Sequence, residues 1–158
     1  MTKTMPFPST SILRILHSPK DLMLLSPGVV SATQSAIDPS VWIFETQSKH
    51  LWGLYTATAR YESTYVATDN GSNFHVTAAL GVSTVGAWRC DAVDPPEQPT
   101  EETRSNATKW TKVTETATIT GPSALMGMIV SIRKKSHEEL LKRLEERIRS
   151  DEANAVGP

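Results

Sequence analysis

The residue with the greatest chemical interest is Glu115, a carboxylate in the middle of the strand-like segment 110–121. In an extended strand, alternate side chains point to opposite faces. Glu115 therefore shares a face with Val113, Ala117 and Ile119, whereas the opposite face carries a lysine and three threonines. The strand register that buries the apolar neighbours buries the carboxylate too. The pattern predicts that Glu115 faces a cavity.

A carboxyl group in apolar surroundings usually has a raised pKa, and it can then act as a general acid or base near neutral pH. We therefore predict Glu115 as a catalytic residue that moves protons. In the alternative interpretation, the strand is twisted or bulged, and Glu115 meets water or pairs outside with Arg60 or Lys112. Glu45 is a second carboxylate on an apolar strand face, but its position near a strand end favours solvation.

Three tyrosines share one face of the β-rich segment 51–69 with small residues such as Ala57. Small side chains leave room, and phenol hydroxyls offer polar groups in an apolar wall. We predict that Tyr55 and Tyr65 bind the substrate, and that Tyr61 is catalytic, orienting the substrate or stabilising an enolate oxygen. In the alternative, the tyrosines pack beneath a helix and their hydroxyls reach water.

Further substrate-binding candidates come from other segments of the chain. Phe74 lies on the apolar face of 74–80, Trp88 points inward from 82–93, and Met126 offers a deformable apolar wall at a helix start. Core packing would explain these residues as well. The predicted cavity is walled by Tyr55, Ala57, Ala59, Tyr61, Trp88 and Met126. By the same patterns we expect His75 and His137 in solvent and Cys90 as a small buried hydrophobe.

The elements that position these residues follow from periodicity and turn signals. Segment 10–17 alternates weakly and predicts a first strand. Ser18 and Pro19 then fit the N-cap and first position of a short helix. A meander of strands follows, with Asn70-Gly71 as a hairpin turn. The predicted strands are 29–37, 41–47, 51–69, 74–80, 82–93 and 109–120.

The last element is a long amphipathic helix that begins at 121–123 and runs towards Ser150. Its apolar residues keep helical spacing, and its charged residues form favourable pairs four positions apart. A kink near Ser136 remains open, because a capping box fits there. The apolar stripe consists of Leu125, Ile129, Ile132, Leu140, Leu144 and Ile148, and the pairs are Glu138–Lys142, Glu139–Arg143 and Glu145–Arg149.

Composition narrows the class of protein. The chain has 158 residues, 39% of them hydrophobic, and a formal charge of −1, without the basic stripe of a nucleic-acid-binding protein. A single cysteine excludes an internal disulfide, and no metal, phosphate or nucleotide motif is visible, so we expect no cofactor. The N-terminus lacks the apolar core of a signal peptide, and no apolar run is long enough to span a bilayer. We expect a cytoplasmic protein.

We predict a single domain over residues 1–158, with an ordered core at about 10–150, a mobile loop at about 94–108 and a frayed tail at 151–158. The fold class is α+β: a curved antiparallel sheet grips one long C-terminal helix, and a short helical segment follows the first strand.

This element order, with "SPKDLMLLSPGVV" near the start and "TGPSALMGMIVSIRKKSHEELLKRLEERI" at the end, resembles the helix-grip superfamily of START domains, birch-pollen allergen proteins and aromatic polyketide cyclases. The resemblance covers roughly 10–150 and implies a hydrophobic cavity between sheet and helix. Members bind lipids, sterols or polyketides, and some catalyse cyclisation, dehydration or isomerisation without a cofactor.

Three functions stay open at this point. The resemblance and the pattern around Glu115 favour a cofactor-independent cyclase or isomerase that acts on a hydrophobic small molecule of secondary metabolism. The second function is a non-catalytic carrier of a lipid or other hydrophobic ligand. The third is an interaction module that binds a protein partner through the acidic loop and the charged helix. The expected partner is a hydrophobic ligand or substrate, without nucleic acid or a membrane span; a homodimer is also open.

Overall fold

The computed structural model describes residues 1–50, 55–95 and 109–155. Within these ranges, seven strands and three α-helices follow one another along the chain. They are β1 (Thr2–Met5), α1 (Ser9–Leu16), α2 (Pro19–Leu25), β2 (Val29–Gln34), β3 (Val41–His50), β4 (Tyr55–Thr68), β5 (Gly71–Thr77), a 3-10 turn (Ala79–Gly81), β6 (Ser83–Val93), β7 (Trp110–Thr120) and α3 (Ser123–Ala155).

The strands form one antiparallel sheet in the order β1-β7-β6-β5-β4-β3-β2. One face of this sheet, which we call the inner face, packs against α3. Leu140, Leu144 and Ile148 of α3 join Val113 of β7 and Trp88 of β6 in a single buried core. The predicted fold class is therefore confirmed: the chain has a helix-grip fold, in which an antiparallel sheet holds a long C-terminal helix.

The prediction of a first strand at 10–17 is wrong, because this segment is helix α1. Its buried residues Ile12, Ile15 and Leu16 recur at helical spacing, a stronger signal than the weak alternation. The first strand is instead β1, a short edge strand in which Thr2 pairs with Thr114. The predicted short helix that begins at Ser18 and Pro19 is present as α2.

The capping of α2 agrees with the sequence pattern. The Ser18 hydroxyl accepts a hydrogen bond from the Asp21 backbone N–H at 3.4 Å, and Pro19 is the first helical residue. Proline fits there because its missing N–H would have no helical partner in the first turn.

The β4–β5 hairpin turns one residue earlier than predicted. Thr68 pairs with Gly71, so Asp69 and Asn70 form the turn and Gly71 opens β5. A side chain at Gly71 would collide with the backbone of Trp88 on the neighbouring strand. Gly71 is therefore required for the close approach of β5 to β6, and not for the turn itself.

Helix α3 is continuous through Ser136 and extends to Ala155, beyond the predicted end near Ser150. The Glu139–Arg143 and Glu145–Arg149 pairs are present, at 3.0 and 3.2 Å. The predicted Glu138–Lys142 pair is replaced, since Lys142 lies 3.9 Å from Glu146.

The predicted apolar stripe of α3 holds only in the C-terminal half, where Leu140, Leu144 and Ile148 are buried. In the N-terminal half, Leu125 and Ile129 are only half-buried and Ile132 is 56% exposed. Met126, Arg133 and His137 face the sheet there in the same helical phase as Leu140 and Leu144, and Val130 in that phase is 51% exposed at an open cleft.

Two glycines offer a matched test of this packing. Gly71→Ala should lower the free energy of unfolding by about 3 kcal/mol or more, because a strand backbone would have to move. Gly127→Ala in α3 should raise it by up to about 1 kcal/mol, because alanine favours a helix and the new methyl group meets no atom within 4 Å. Urea denaturation of both variants measures the difference, and equal effects would contradict the described β5–β6 approach.

Candidate functional site

Glu115 lies on the inner face of β7 between the sheet and α3. Thr111 and Val113, on the same face, are fully buried, and Glu115 itself is only 4% exposed. The strand therefore has neither the twist nor the bulge that would turn the carboxylate outward. Of the two outside partners considered above, Lys112 lies on the opposite face of β7, and neither Lys112 nor Arg60 pairs with Glu115.

Two side chains of α3 hold this carboxylate. Arg133 donates from Nη2 to Oε1 at 2.6 Å. His137 brings Nδ1 into contact with Oε2, although not in the alignment of a good hydrogen bond. Residues four apart on a helix lie on the same side, so both side chains reach one acceptor. We call Glu115, Arg133 and His137 the ionic cluster.

The ionic cluster differs from the lone carboxyl group that the strand pattern suggests. A buried carboxylate without partners is costly, and a charged, hydrogen-bonded partner offsets much of that cost. The side chain of His137 is 17% exposed, so the prediction of a solvated histidine is wrong. One signal in the sequence could have revealed the cluster: Arg133 and His137 share the helical phase of buried Leu140 and Leu144.

Two aromatic side chains pack against the ionic cluster. Trp88 lies directly opposite Glu115 in the β6–β7 register and stacks on His137, with ring centroids 6.1 Å apart and planes 13° apart. Phe74 of β5 lies below Arg133, whose guanidinium carbon is 6.0 Å from the ring centroid. Such cation–π contacts add to the charge compensation. That Trp88 and Phe74 also contact a substrate stays a prediction.

The structure brings Tyr65, and not Tyr61, towards the ionic cluster. Tyr65 packs on Phe74 with ring centroids 6.1 Å apart. Tyr61 stacks on Phe44 and lies four residues further along β4, about 13 Å away at strand spacing. Placement alone therefore makes Tyr65 the better partner for Glu115. Tyr55 opens β4, but its side chain lies outside the described residues.

Burial raises the pKa of Tyr65 to about 12, and the negative charge of Glu115 acts in the same direction. The phenol therefore keeps its proton at neutral pH and can donate a hydrogen bond. Burial similarly raises the pKa of Cys90 to about 11, so its thiol is not an activated nucleophile at neutral pH.

A cleft of about 390 Å³ opens beside the ionic cluster, between the second half of β7 and the start of α3. Beyond Glu115, β7 has no partner from β1, so the edge of the sheet is open there. The lining residues are Met1, Glu115, Ala117, Ile119, Met126, Val130, Arg133 and Lys134.

The cleft is not where the sequence pattern placed it, because of the five predicted wall residues whose side chains are described, only Met126 lines it. Over β5 and β6, Phe74 and Trp88 fill the space beneath α3, together with Arg133 and His137. The open volume is therefore beside β7, where Ala117 and Ile119 leave room.

The outer face of the sheet carries a second depression, of about 500 Å³, lined largely by threonines and small apolar residues. His75 lies there and is exposed as predicted, with Nε2 2.8 Å from the Ser83 hydroxyl. Glu45 also belongs to the outer face, where the Ser31 hydroxyl donates to it at 3.4 Å. Neither residue reaches the ionic cluster.

The described ranges contain neither a cluster of metal-binding side chains nor a helix that could span a membrane. No group of three or more histidine, cysteine, aspartate or glutamate side chains is placed to hold a metal ion there. Among the described helices, none combines the length and apolar character needed to cross a bilayer.

Comparison with known proteins places the chain in a family. Residues 1–150 match the model of the family described as "Domain of unknown function (DUF7053)", so the chain belongs to that family. No curated protein sequence matches the chain significantly.

Several solved structures share the fold. The Zhui aromatase/cyclase from Streptomyces sp. R1128 has a TM-score of 0.63 at 11% identity, covering 100% of this chain and 96% of its own. The di-domain aromatase/cyclase StfQ of the steffimycin biosynthetic pathway has a TM-score of 0.58 at 13% identity, covering 97% of this chain and 45% of its own. A conserved protein from Geobacillus kaustophilus has a TM-score of 0.59 at 14% identity, covering 94% and 93%. At these identities the similarity concerns the fold alone.

The raised pKa of Tyr65 predicts an alkaline loss of stability. The folded state holds the phenol proton more tightly than the unfolded state does, so this contribution is complete below about pH 10 and is lost as pH rises towards 12. Tyr65→Phe should remove that part of the pH dependence, as measured by urea denaturation at several alkaline pH values. Tyr61→Phe is the matched control. An unchanged alkaline slope in Tyr65→Phe would contradict the raised pKa of Tyr65.

Proposed function

We propose that the protein is a cofactor-independent cyclase or isomerase that binds a hydrophobic small molecule in the cleft beside β7. The observation that carries this proposal is the position of Glu115: a buried carboxylate that also lines an otherwise mostly apolar cleft. Apolar walls with a few convergent polar groups are typical of small-molecule sites. The fold that the chain shares with aromatase/cyclases supports the same class without choosing the reaction.

The chemistry begins with Glu115 as a base, and Arg133, whose Nη2 lies 2.6 Å from Oε1, holds the carboxylate in place. Glu115 takes a proton from a carbon next to a ketone, and the bonding electrons move onto the carbonyl oxygen. The guanidinium of Arg133, which also lines the cleft, stabilises this negative oxygen.

Two outcomes then return the proton. In cyclisation, the enolate carbon bonds to a second carbonyl carbon of the same molecule, and the oxygen of that carbonyl takes the proton from Glu115. In isomerisation the substrate is a β,γ-unsaturated ketone, the enolate is conjugated with its C=C bond, and the γ-carbon takes the proton from Glu115 as the double bond moves next to the carbonyl. Both sequences restore the Glu115 carboxylate, and neither consumes an oxidant or a reductant.

A non-catalytic carrier is the second candidate, and a specific observation favours it. Both carboxylate oxygens of Glu115 already face a basic partner, which is how a structural ion pair is built. In that case the ionic cluster only closes one end of the cleft. A catalyst and a carrier would both bind the ligand, but only the catalyst would transfer a proton.

Deuterium exchange separates these functions without knowledge of the natural substrate. The probes are α-tetralone and a series of larger aryl ketones in D₂O, with loss of the proton next to the carbonyl followed by NMR. The parent protein should accelerate exchange, and Glu115→Gln should slow the protein-catalysed rate by about 10²–10⁴-fold, because one positioned base is lost. Glu45→Gln, on the outer face, should exchange at the parental rate.

Binding is measured in parallel by quenching of tryptophan fluorescence. Saturable binding without accelerated exchange would assign the protein as a carrier. Parental exchange by Glu115→Gln would remove Glu115 from the mechanism. If no ketone of the series binds, the cleft is not a hydrophobic-ligand site and the proposal fails.

A further inference from the structure

The end of the molecule formed by the β5–β6 turn and the N-terminal half of α3 exposes large apolar side chains next to two lysines. Leu80, in the turn between β5 and β6, is 75% exposed, and Met128 and Ile132 on the outward side of α3 are 58% and 56% exposed. Lys134 and Lys135 follow at once along the helix and are exposed. We call these five residues the apolar-basic end.

The turn and the helix start adjoin each other. A methyl group at Gly121 would lie 3.2 Å from the Val82 side chain and 3.7 Å from Met126, so the residues after the turn meet the beginning of α3. Leu80 itself has φ 61°, a left-handed conformation that a leucine rarely adopts. A strained backbone therefore presents a large apolar side chain to the outside, where it contributes nothing to the core.

The charge of this end is mostly basic, although the exposed Glu138 lies one helical turn beyond Lys134 and Lys135. The sequence has no aspartate or glutamate between Glu115 and Glu138. Arg133 is neutralised by Glu115, whereas Lys134 and Lys135 form no ion pair with a described residue. The acid nearest to the turn in the strand register is Glu62, which is opposite Thr77 on the outer face.

We propose that the apolar-basic end docks on an anionic lipid bilayer. Leu80, Met128 and Ile132 would enter the boundary between headgroups and acyl chains, and Lys134 and Lys135 would contact anionic headgroups. Apolar residues beside lysines are the pattern of interfacial helices, and lysine stems can extend so that the charge stays at the headgroups. A second copy of the chain fits less well, because a symmetric contact would bring the same lysines together.

The position of this end also bears on the cleft. Val130 and Lys134 line the cleft and lie on the same half of α3 as Met128 and Ile132. A bilayer bound here would be close to the cleft opening, so a hydrophobic ligand could pass between membrane and cleft with little exposure to water. Docking itself does not depend on the catalytic proposal.

Co-sedimentation with vesicles tests the proposal on the full chain. Vesicles of equimolar phosphatidylserine and phosphatidylcholine should bind the protein, whereas pure phosphatidylcholine should bind it weakly, and salt should weaken the anionic binding. Lys134→Gln combined with Lys135→Gln should lower the affinity by roughly 25-fold, since each lysine near an anionic surface contributes about fivefold. Lys20→Gln with Lys112→Gln makes the same change in net charge elsewhere and should have little effect.

A second pair of double variants tests the contribution of the apolar side chains to vesicle binding. Leu80→Ser with Met128→Ser should weaken binding to the anionic vesicles, and Leu24→Ser with Ile37→Ser, two exposed apolar residues elsewhere, should not. Circular dichroism checks that all variants fold. The proposal is overturned if the protein does not bind anionic vesicles. It is also overturned if the protein binds them and neither the lysine pair nor the apolar pair of substitutions changes that binding. A dimer in sedimentation velocity that the same variants dissociate, without vesicle binding, would assign this end to self-association instead.

Discussion

The structure depends on how the charge of Glu115 is compensated between sheet and helix. A carboxylate that is 4% exposed needs a cation within reach, and Arg133 and His137 supply basic groups from one side of α3. This contact fixes the rotation of the helix over the sheet, because another helical phase would leave the carboxylate unpartnered. The same phase directs Leu140, Leu144 and Ile148 into the core. The cleft follows from it too, since Arg133 and Val130 then border the open end of β7.

The helix-grip fold does not decide what the protein does. Solved structures with the same architecture have identities to this chain from 17% down to 10%, so their inner-face residues can differ almost completely. The feature of this chain that bears on function is the ionic cluster beside a cleft, with protonated Tyr65 nearby. A charged network at the sheet–helix contact limits where a ligand can lie. It also places basic groups where negative charge would develop on an enolate oxygen.

Much of the fold could be predicted from the sequence, because local sequence patterns determine most of its helices and strands. Alternation correctly pointed Trp88 inward, Cys90 is buried as expected, and Ser18 with Pro19 marked the start of α2. The site was harder to predict, because its partners are distant in sequence and polar. In a sequence, a buried basic residue on a helix looks the same as a solvated one unless the acidic group that it contacts is known. The expectation that His137 is solvated is wrong for this reason. The location of the cleft depended on how Phe74 and Trp88 fill the space beneath α3, and strand alternation carries no information about that.

A double-mutant cycle between Glu115 and Arg133 tests the central claim most directly. The free energy of unfolding would be measured for the parent, Glu115→Gln, Arg133→Met and the double variant. The described ion pair predicts that each single change costs about 3–5 kcal/mol, because it leaves a buried charge. The two changes should then fail to add, with a coupling energy of about 1–3 kcal/mol. Costs that add within about 0.5 kcal/mol would show that the two side chains do not interact, and would contradict the account.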